Sequence, residues 1–136
     1  MLRTGLRLGE VKAVQWQDID FKKRQMEIRR SIRRCRVTDT KNRKRRRVDM
    51  TEHLAGTLQA WKVEQKKSSL LEGRPFLDTD YVFLSKRGDV LCETALANAL
   101  RRCLSAAKLR QIRIHDLRHT YATIRLLRGH NIGDVS

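Results

Sequence analysis

Two side chains late in the chain, His115 and Arg118, have residue types and a spacing that suit chemistry on a phosphate. If the segment from Ile114 to Thr120 is helical, residues three apart share one face of the helix. An imidazole can move protons near neutral pH, whereas a guanidinium keeps its positive charge. The pair would therefore suit a phosphate whose negative charge grows during a reaction.

A second arginine and an acid, Arg7 and Glu10, lie more than a hundred residues upstream in the segment from Thr4 to Glu10. Alone, Arg7 would be interpreted as a surface charge and His115 as a polar residue at a helix start. Two tryptophans and two tyrosines are predicted to be core rather than reactive groups. They are Trp16, Trp61, Tyr81 and Tyr121.

The composition limits the classes of partner. The 136 residues carry 31 Lys and Arg against 15 Asp and Glu, which gives a net charge of +16. This excess favours a polyanion, with nucleic acid the first candidate and an anionic membrane surface the second. No apolar stretch approaches the ~20 residues of a membrane-spanning helix. The three cysteines form no CxxC pair, so we expect a reducing interior without a disulfide or metal site.

The basic residues are clustered. The segment from Lys22 to Arg47 holds 14 Lys or Arg and only two acids. Such charge can guard a sheet edge against aggregation, but a cluster of one sign favours a β-hairpin that grips a phosphate backbone. Such contacts give affinity without sequence readout. The DNA-binding candidates at this turn are Arg43, Lys44, Arg45 and Arg46.

The hydrophobic pattern predicts an α+β fold, a mainly helical domain with a small three-stranded antiparallel sheet. A short helix buries Leu6, Val11, Val14 and Trp16, and a helix capped by Thr51 follows the strands. The helix capped by Thr51 is predicted to end near Lys66. The other predicted elements are strands at Arg24 to Ser31, Val37 to Thr40 and Arg46 to Met50; a loop from Ser68 to Asp80; a short strand or entry segment at Tyr81 to Leu84; and helices from Glu93 to Ala107, from His115 or Asp116 to Gly129, and from Asn131.

Two motifs resemble those of one family, the tyrosine recombinases or phage integrases. Thr4-Gly5-Leu6-Arg7-x-x-Glu10, followed by Trp16-Gln17-Asp18-Ile19-Asp20, resembles the first conserved box of that family. The run from His115 to Thr123 is similar to its His-x-x-Arg box. Both occur in order, and the basic hairpin lies between them, where the family places a catalytic lysine. The resemblance extends from about Thr4 to Ser136.

The resemblance implies an enzyme that cuts and rejoins double-stranded DNA through a 3′-phosphotyrosine intermediate, without metal or small-molecule cofactor. Arg7 and Arg118 would bind the non-bridging phosphate oxygens. His115 would be the general acid and base, and Lys41, or alternatively Lys44, would protonate the leaving 5′-oxygen. Glu10 would orient Arg7 or a neighbour, and His119 would support the site.

The sequence also departs from the family pattern. The nucleophilic tyrosine, the turn that precedes it and the N-terminal DNA-clamping domain have no counterpart among these residues, so we predict a partial catalytic domain over 1–136. Arg128-Gly129-His130 resembles that turn only superficially, and His130 is interpreted as a helix-end residue. We expect a cytoplasmic, bacterial or phage-encoded parent that is tetrameric on DNA. The alternatives are an inactive basic DNA-binding domain from a decayed integrase and, less favoured, an RNA-binding protein.

Overall fold

In the part of the chain that the structure describes, five short strands lie between a helix of six residues and three longer helices. The computed structural model describes residues 1–33, 36–39, 46–85 and 88–129. A single 3₁₀ turn, Trp16–Asp18, follows the first helix. In chain order the elements are α1 Leu8–Ala13, β1 Ile19–Asp20, β2 Gln25–Ile28, β3 Arg30–Arg33, β4 Arg36–Asp39, β5 Arg46–Asp49, α2 Glu52–Leu71, α3 Glu93–Ala106 and α4 Ile114–Leu127. The predicted α+β class is confirmed.

The described strands form two antiparallel sheets, one of three strands as predicted and a second of two strands. One sheet has the order β1-β2-β5, with Met26 opposite both Ile19 and Val48. The other pairs β3 with β4. The predicted strand from Arg24 to Ser31 is therefore divided at Arg29, and its second half joins another sheet. β1 was not predicted, because two residues are too short to show an alternating pattern.

The core lies between the three-stranded sheet and α2. It contains the apolar side chains of Leu6, Val14, Trp16, Ile19, Met26, Ile28, Met50, Ala55, Leu58 and Val82. Trp16 is only 1% exposed, and its Nε1 donates to Gln65 Oε1 at 2.6 Å. Gln65 Nε2 in turn donates to the carbonyl of Tyr81. This chain of hydrogen bonds satisfies the buried indole and fixes α2 over the sheet.

Two predictions about α2 were wrong, the position of its end and the burial of Trp61. The helix continues to Leu71, beyond Lys66, because Ser69 packs in a buried position that outweighs the poor helix propensity of serine. Trp61 is 42% exposed rather than core, although its Nε1 donates to the carbonyl of Val82 at 2.7 Å. The segment from Tyr81 to Leu84, predicted as a short strand or entry segment, forms no strand but makes two isolated bridges, Gln15 with Tyr81 and Leu84 with Val90.

The helix ends follow the local signals more closely. Thr51 Oγ1 accepts from the backbone N–H of Leu54 at 3.3 Å, which confirms the predicted cap of α2. Gly129 has a φ of 78°, as expected for a glycine that ends α4. In α3 Leu104 is buried, whereas Ala95 is exposed. Across the described ranges, no helix has both the length and the apolar character needed to cross a membrane.

Candidate functional site

The first half of the site is built at the start of α1. Arg7 has extended backbone angles and is the residue before the first helical turn, while Glu10 lies inside that turn. Glu10 Oε2 accepts from the backbone N–H of Arg7 at 2.8 Å, and Oε1 accepts from Arg7 Nη1 at 3.4 Å. The Glu10 side chain is 5% exposed and the Arg7 side chain 57% exposed. Glu10 thus caps the helix and fixes the backbone of Arg7, whose side chain reaches solvent.

The buried carboxylate binds a second guanidinium from the sheet. Arg46, the first residue of β5, donates from Nη2 to Glu10 Oε2 at 2.7 Å. Arg46 was predicted as a DNA-backbone contact, and the structure places it beside Arg7 and Glu10. The ion pair connects residues 36 apart in sequence, so no local pattern indicates it.

The second half of the site comes from α4, and it meets the first half at Gly5. Arg118 Nη1 donates to the carbonyl of Gly5. A Cβ at Gly5 would lie 2.5 Å from Cε1 of Tyr121, one turn further along α4, and Gly5 has a φ of 64°. Gly5 therefore needs to be glycine for two reasons, its backbone conformation and its contact with the tyrosine ring. This contact brings the two separated motifs together.

The electrostatics agree with this convergence. Burial lowers the pKa of Arg118, and the positive charges of Arg7 and Arg46 lower it further, whereas the charge of Glu10 raises it. Three guanidiniums and one carboxylate thus act on one another in the same region. The repulsion among neighbouring guanidiniums decreases when an anion binds between them. The arrangement therefore favours the binding of a phosphate or another oxyanion.

The two predicted histidines lie on the outer side of α4. His115 and His119 are both exposed, and their rings meet edge to face with centroids 5.2 Å apart. His115 is in the first turn of α4, three residues before Arg118. That turn is held by Asp116, whose Oδ2 accepts from the backbone N–H of Arg113 at 2.9 Å. His115 is therefore displayed to solvent on the helix that supplies Arg118.

The remaining predicted site residues lie outside the described residues. They are Lys41, Arg43, Lys44, Arg45 and the helix-end residue His130. The choice between Lys41 and Lys44 as the proton donor thus stays a prediction. Among the residues that are described, no group of three His, Cys, Asp or Glu side chains could hold a metal ion.

Sequence reasoning missed a second buried carboxylate, Asp18. Its Oδ2 accepts from the backbone N–H of Gln15 and from Arg30 Nη2. Its Oδ1 forms an ion pair with Arg29, whose Nε is 3.6 Å away. The position of Asp18 two residues after a buried tryptophan was the available signal. Sequence reasoning also missed the contact that Gly5 makes with Tyr121. The sequence feature that could have indicated this contact is a glycine directly before a buried leucine, Leu6.

Known proteins provide an independent comparison. The phage integrase family matches the chain over residues 1–136. A tyrosine recombinase XerC-like protein of Caldanaerobacter subterraneus subsp. tengcongensis is 28% identical over 150 residues, covering 98% of this chain and 38% of that protein. The chain spans about two fifths of the length of the curated relatives it matches.

Solved structures share the fold. The XerA recombinase is 25% identical with a TM-score of 0.74, covering 98% of this chain and 44% of that one. The Tn1549 transposon integrase, solved in complex with a circular intermediate DNA, has a TM-score of 0.78 at 20% identity. Its match covers 98% of this chain and 46% of that one. The architecture is thus one that enzymes of DNA recombination and integration use.

Proposed function

Because the chain belongs to the phage integrase family, we propose that it forms the DNA-binding and phosphate-activating part of a site-specific tyrosine recombinase. One observation carries this proposal. Arg7 and Arg118, which lie 111 residues apart in sequence, reach the same region through Glu10 and Gly5. The arrangement supports DNA strand cleavage and rejoining better than simple binding, because backbone binding alone does not require two arginines to meet at one point.

The proposed chemistry follows from charge. When an oxygen attacks a phosphodiester, the non-bridging oxygens gain negative charge in the transition state. Arg7 and Arg118 would stabilise that charge with fixed guanidiniums, which is usually the largest catalytic contribution. His115 would move a proton at the reacting oxygens. Lys41, or Lys44 in the alternative, would give a proton to the leaving 5′-oxygen.

We propose that neither tyrosine of this chain is the nucleophile. Tyr121 lies against Gly5 and carries the guanidinium of Arg125 over its ring at 5.9 Å. Tyr81 is part of the bridge to Gln15 beside the core. Both contacts are those of packing residues. In the family the nucleophile follows the His-x-x-Arg box, and we place it after Ser136 in a longer parent protein.

The proposed partner is double-stranded DNA in the cytoplasm of a bacterium, with four copies of the parent assembling on it. The net charge of +16 and the exposed basic residues support the choice of DNA. In particular, Arg3, Arg47 and Arg128 line a cleft of about 620 Å³ that borders Gly5 and Tyr121. A duplex whose backbone followed this cleft would pass directly beside the arginine site.

Covalent trapping tests the proposal. In the parent protein with its tyrosine segment, a nicked suicide substrate should give a denaturant-resistant protein–DNA adduct. Arg7→Ala and Arg118→Ala should lower the rate of adduct formation by roughly 10²–10³-fold, as removal of a transition-state donor does. Duplex binding should change only severalfold, because many other cations contact the backbone.

The matched control is Arg74→Ala, which removes an exposed arginine whose ion pair is with its near neighbour Glu72. This variant should form adduct at the wild-type rate. A wild-type protein that binds duplex DNA but never forms an adduct would contradict the enzyme proposal. That result would favour the inactive DNA-binding domain instead.

A further inference from the structure

Arg46 has a role that its place in the basic segment does not suggest. We propose that Arg46 is a positioning residue that balances the charge of Glu10 and thereby leaves Arg7 available to the phosphate. The inference rests on the proposed function, because it concerns the same phosphate site. It separates Arg46 from the arginines that contact the DNA backbone.

The alternation of side chains along β5 places Arg46 and Arg47 on opposite faces of the strand. Side chains alternate across a strand, and Arg46 and Val48 are half-buried while Arg47 and Asp49 are exposed. Arg46 therefore points toward α1 and binds Glu10, whereas Arg47 points to solvent. Two adjacent arginines of one strand thus have different surroundings.

The distances show how Glu10 divides its bonds. The contact from Arg46 Nη2 to Oε2 is 2.7 Å, and the contact from Arg7 Nη1 to Oε1 is 3.4 Å. The shorter bond is the stronger one. The Arg46 side chain is 30% exposed and that of Arg7 is 57% exposed. Arg46 thus neutralises the buried carboxylate, and Arg7 keeps its guanidinium in solvent, where a phosphate can reach it.

The charge balance gives Arg46 a second effect. The net charge of the site is +1 when only Arg7, Arg118 and Glu10 are counted. The guanidinium of Arg46 raises this net charge to +2. A phosphodiester carries one negative charge, and the pentacoordinate state formed by attack of an ionised oxygen carries two. The site with Arg46 therefore matches the charge of the reacting state, which is the condition for catalysis rather than simple binding.

Two small anions separate the charge effect from packing. Sulfate is a dianion, and dimethyl phosphate is a monoanion with the charge of a phosphodiester. Binding of each to the 136-residue chain can be followed by the guanidinium NMR signals of Arg7 and Arg118 at low ionic strength. Because Coulomb energy scales with charge, Arg46→Ala should weaken sulfate by about tenfold and dimethyl phosphate by about threefold.

Two further variants complete the design. Arg74→Ala, the control, should keep both affinities within about twofold of the wild type, because its guanidinium pairs with Glu72 and lies outside the cleft. The double variant Glu10→Gln, Arg46→Ala restores the net charge of the site. It should bind sulfate within about threefold of the wild type, whereas a merely structural role for the ion pair predicts a double variant at least as weak as Arg46→Ala.

The outcomes are distinct. If Arg46→Ala binds sulfate as Arg74→Ala does, or if the double variant shows no recovery, the inference is wrong while the proposed function stands. If the wild type binds neither anion, the phosphate site itself is wrong and the inference fails with it. Should Arg46→Ala not fold, Arg46→Gln supplies the same comparison with a neutral donor at the same position.

Discussion

At the scale of single residues, Gly5 has the greatest influence on the site. Its carbonyl accepts from Arg118, and its Cα lies against the ring of Tyr121. Both partners are on α4, so the position of Arg118 relative to Arg7 depends on how closely that helix approaches Gly5. A residue without chemistry of its own thus sets the distance between the two arginines.

Gly5→Ala tests this dependence, and Gly73→Ala is its matched control. The two glycines have φ angles of 64° and 66°, but a Cβ at Gly73 meets nothing within 4 Å. Gly73→Ala should cost about 1 kcal/mol, the price of a left-handed alanine. Gly5→Ala should cost about 1–3 kcal/mol more, because the new methyl group overlaps the ring of Tyr121. Urea unfolding measures both, and equal losses would contradict the close contact.

At the scale of elements, the first turn of α4 is held by the carboxylate of Asp116. The backbone N–H of Arg113 is the main donor and the Arg113 guanidinium the second, and together they lower the pKa of Asp116. A carboxyl with a lower pKa in the folded state stabilises that state above its unfolded pKa. The contribution disappears as the pH falls through the folded pKa.

Asp116→Asn should therefore lower the melting temperature at neutral pH, since the charged acceptor at the helix start is lost. The difference from the wild type should shrink steadily in acid, below the usual range of an aspartate pKa. Asp89→Asn, a change of an exposed acid in the loop before α3, should show a smaller neutral-pH effect. A difference for Asp116→Asn that persists unchanged into acid would show that its carboxylate charge is not the cause.

The elements also show what the sequence can predict. Caps depend on side chains within a few residues, so Thr51 and Gly129 were predicted correctly. Strand partners depend on distant residues. The segment around Met26 was recognised as extended, but its pairing with both Ile19 and Val48 could not be predicted from alternation alone. For the site, a family resemblance indicated Arg7 and Arg118, whereas the bond between Glu10 and Arg46 is a tertiary contact.

At the scale of the whole molecule, stability is distributed unevenly. Among the described residues, every member of the hydrophobic core cluster lies in the range from Leu6 to Val82. In α4, all of which the structure describes, no residue is fully buried, and α3 buries only Leu104. His115 and Arg118 therefore lie in a part of the molecule whose helices bury few apolar side chains. We expect these helices to open at lower free energy than the core.

Amide hydrogen exchange tests this expectation. Amides of α4 should exchange through a local opening, faster than those around Leu58 in α2, which exchange only on global unfolding. Duplex DNA should slow exchange in α4 more than in α2, because a phosphate that binds Arg7 and Arg118 together holds α4 against Gly5. The DNA effect should fade at high salt, as backbone binding does. Equal protection of α2 and α4 without DNA would show instead that the contacts at Gly5 anchor α4 as firmly as the core anchors α2.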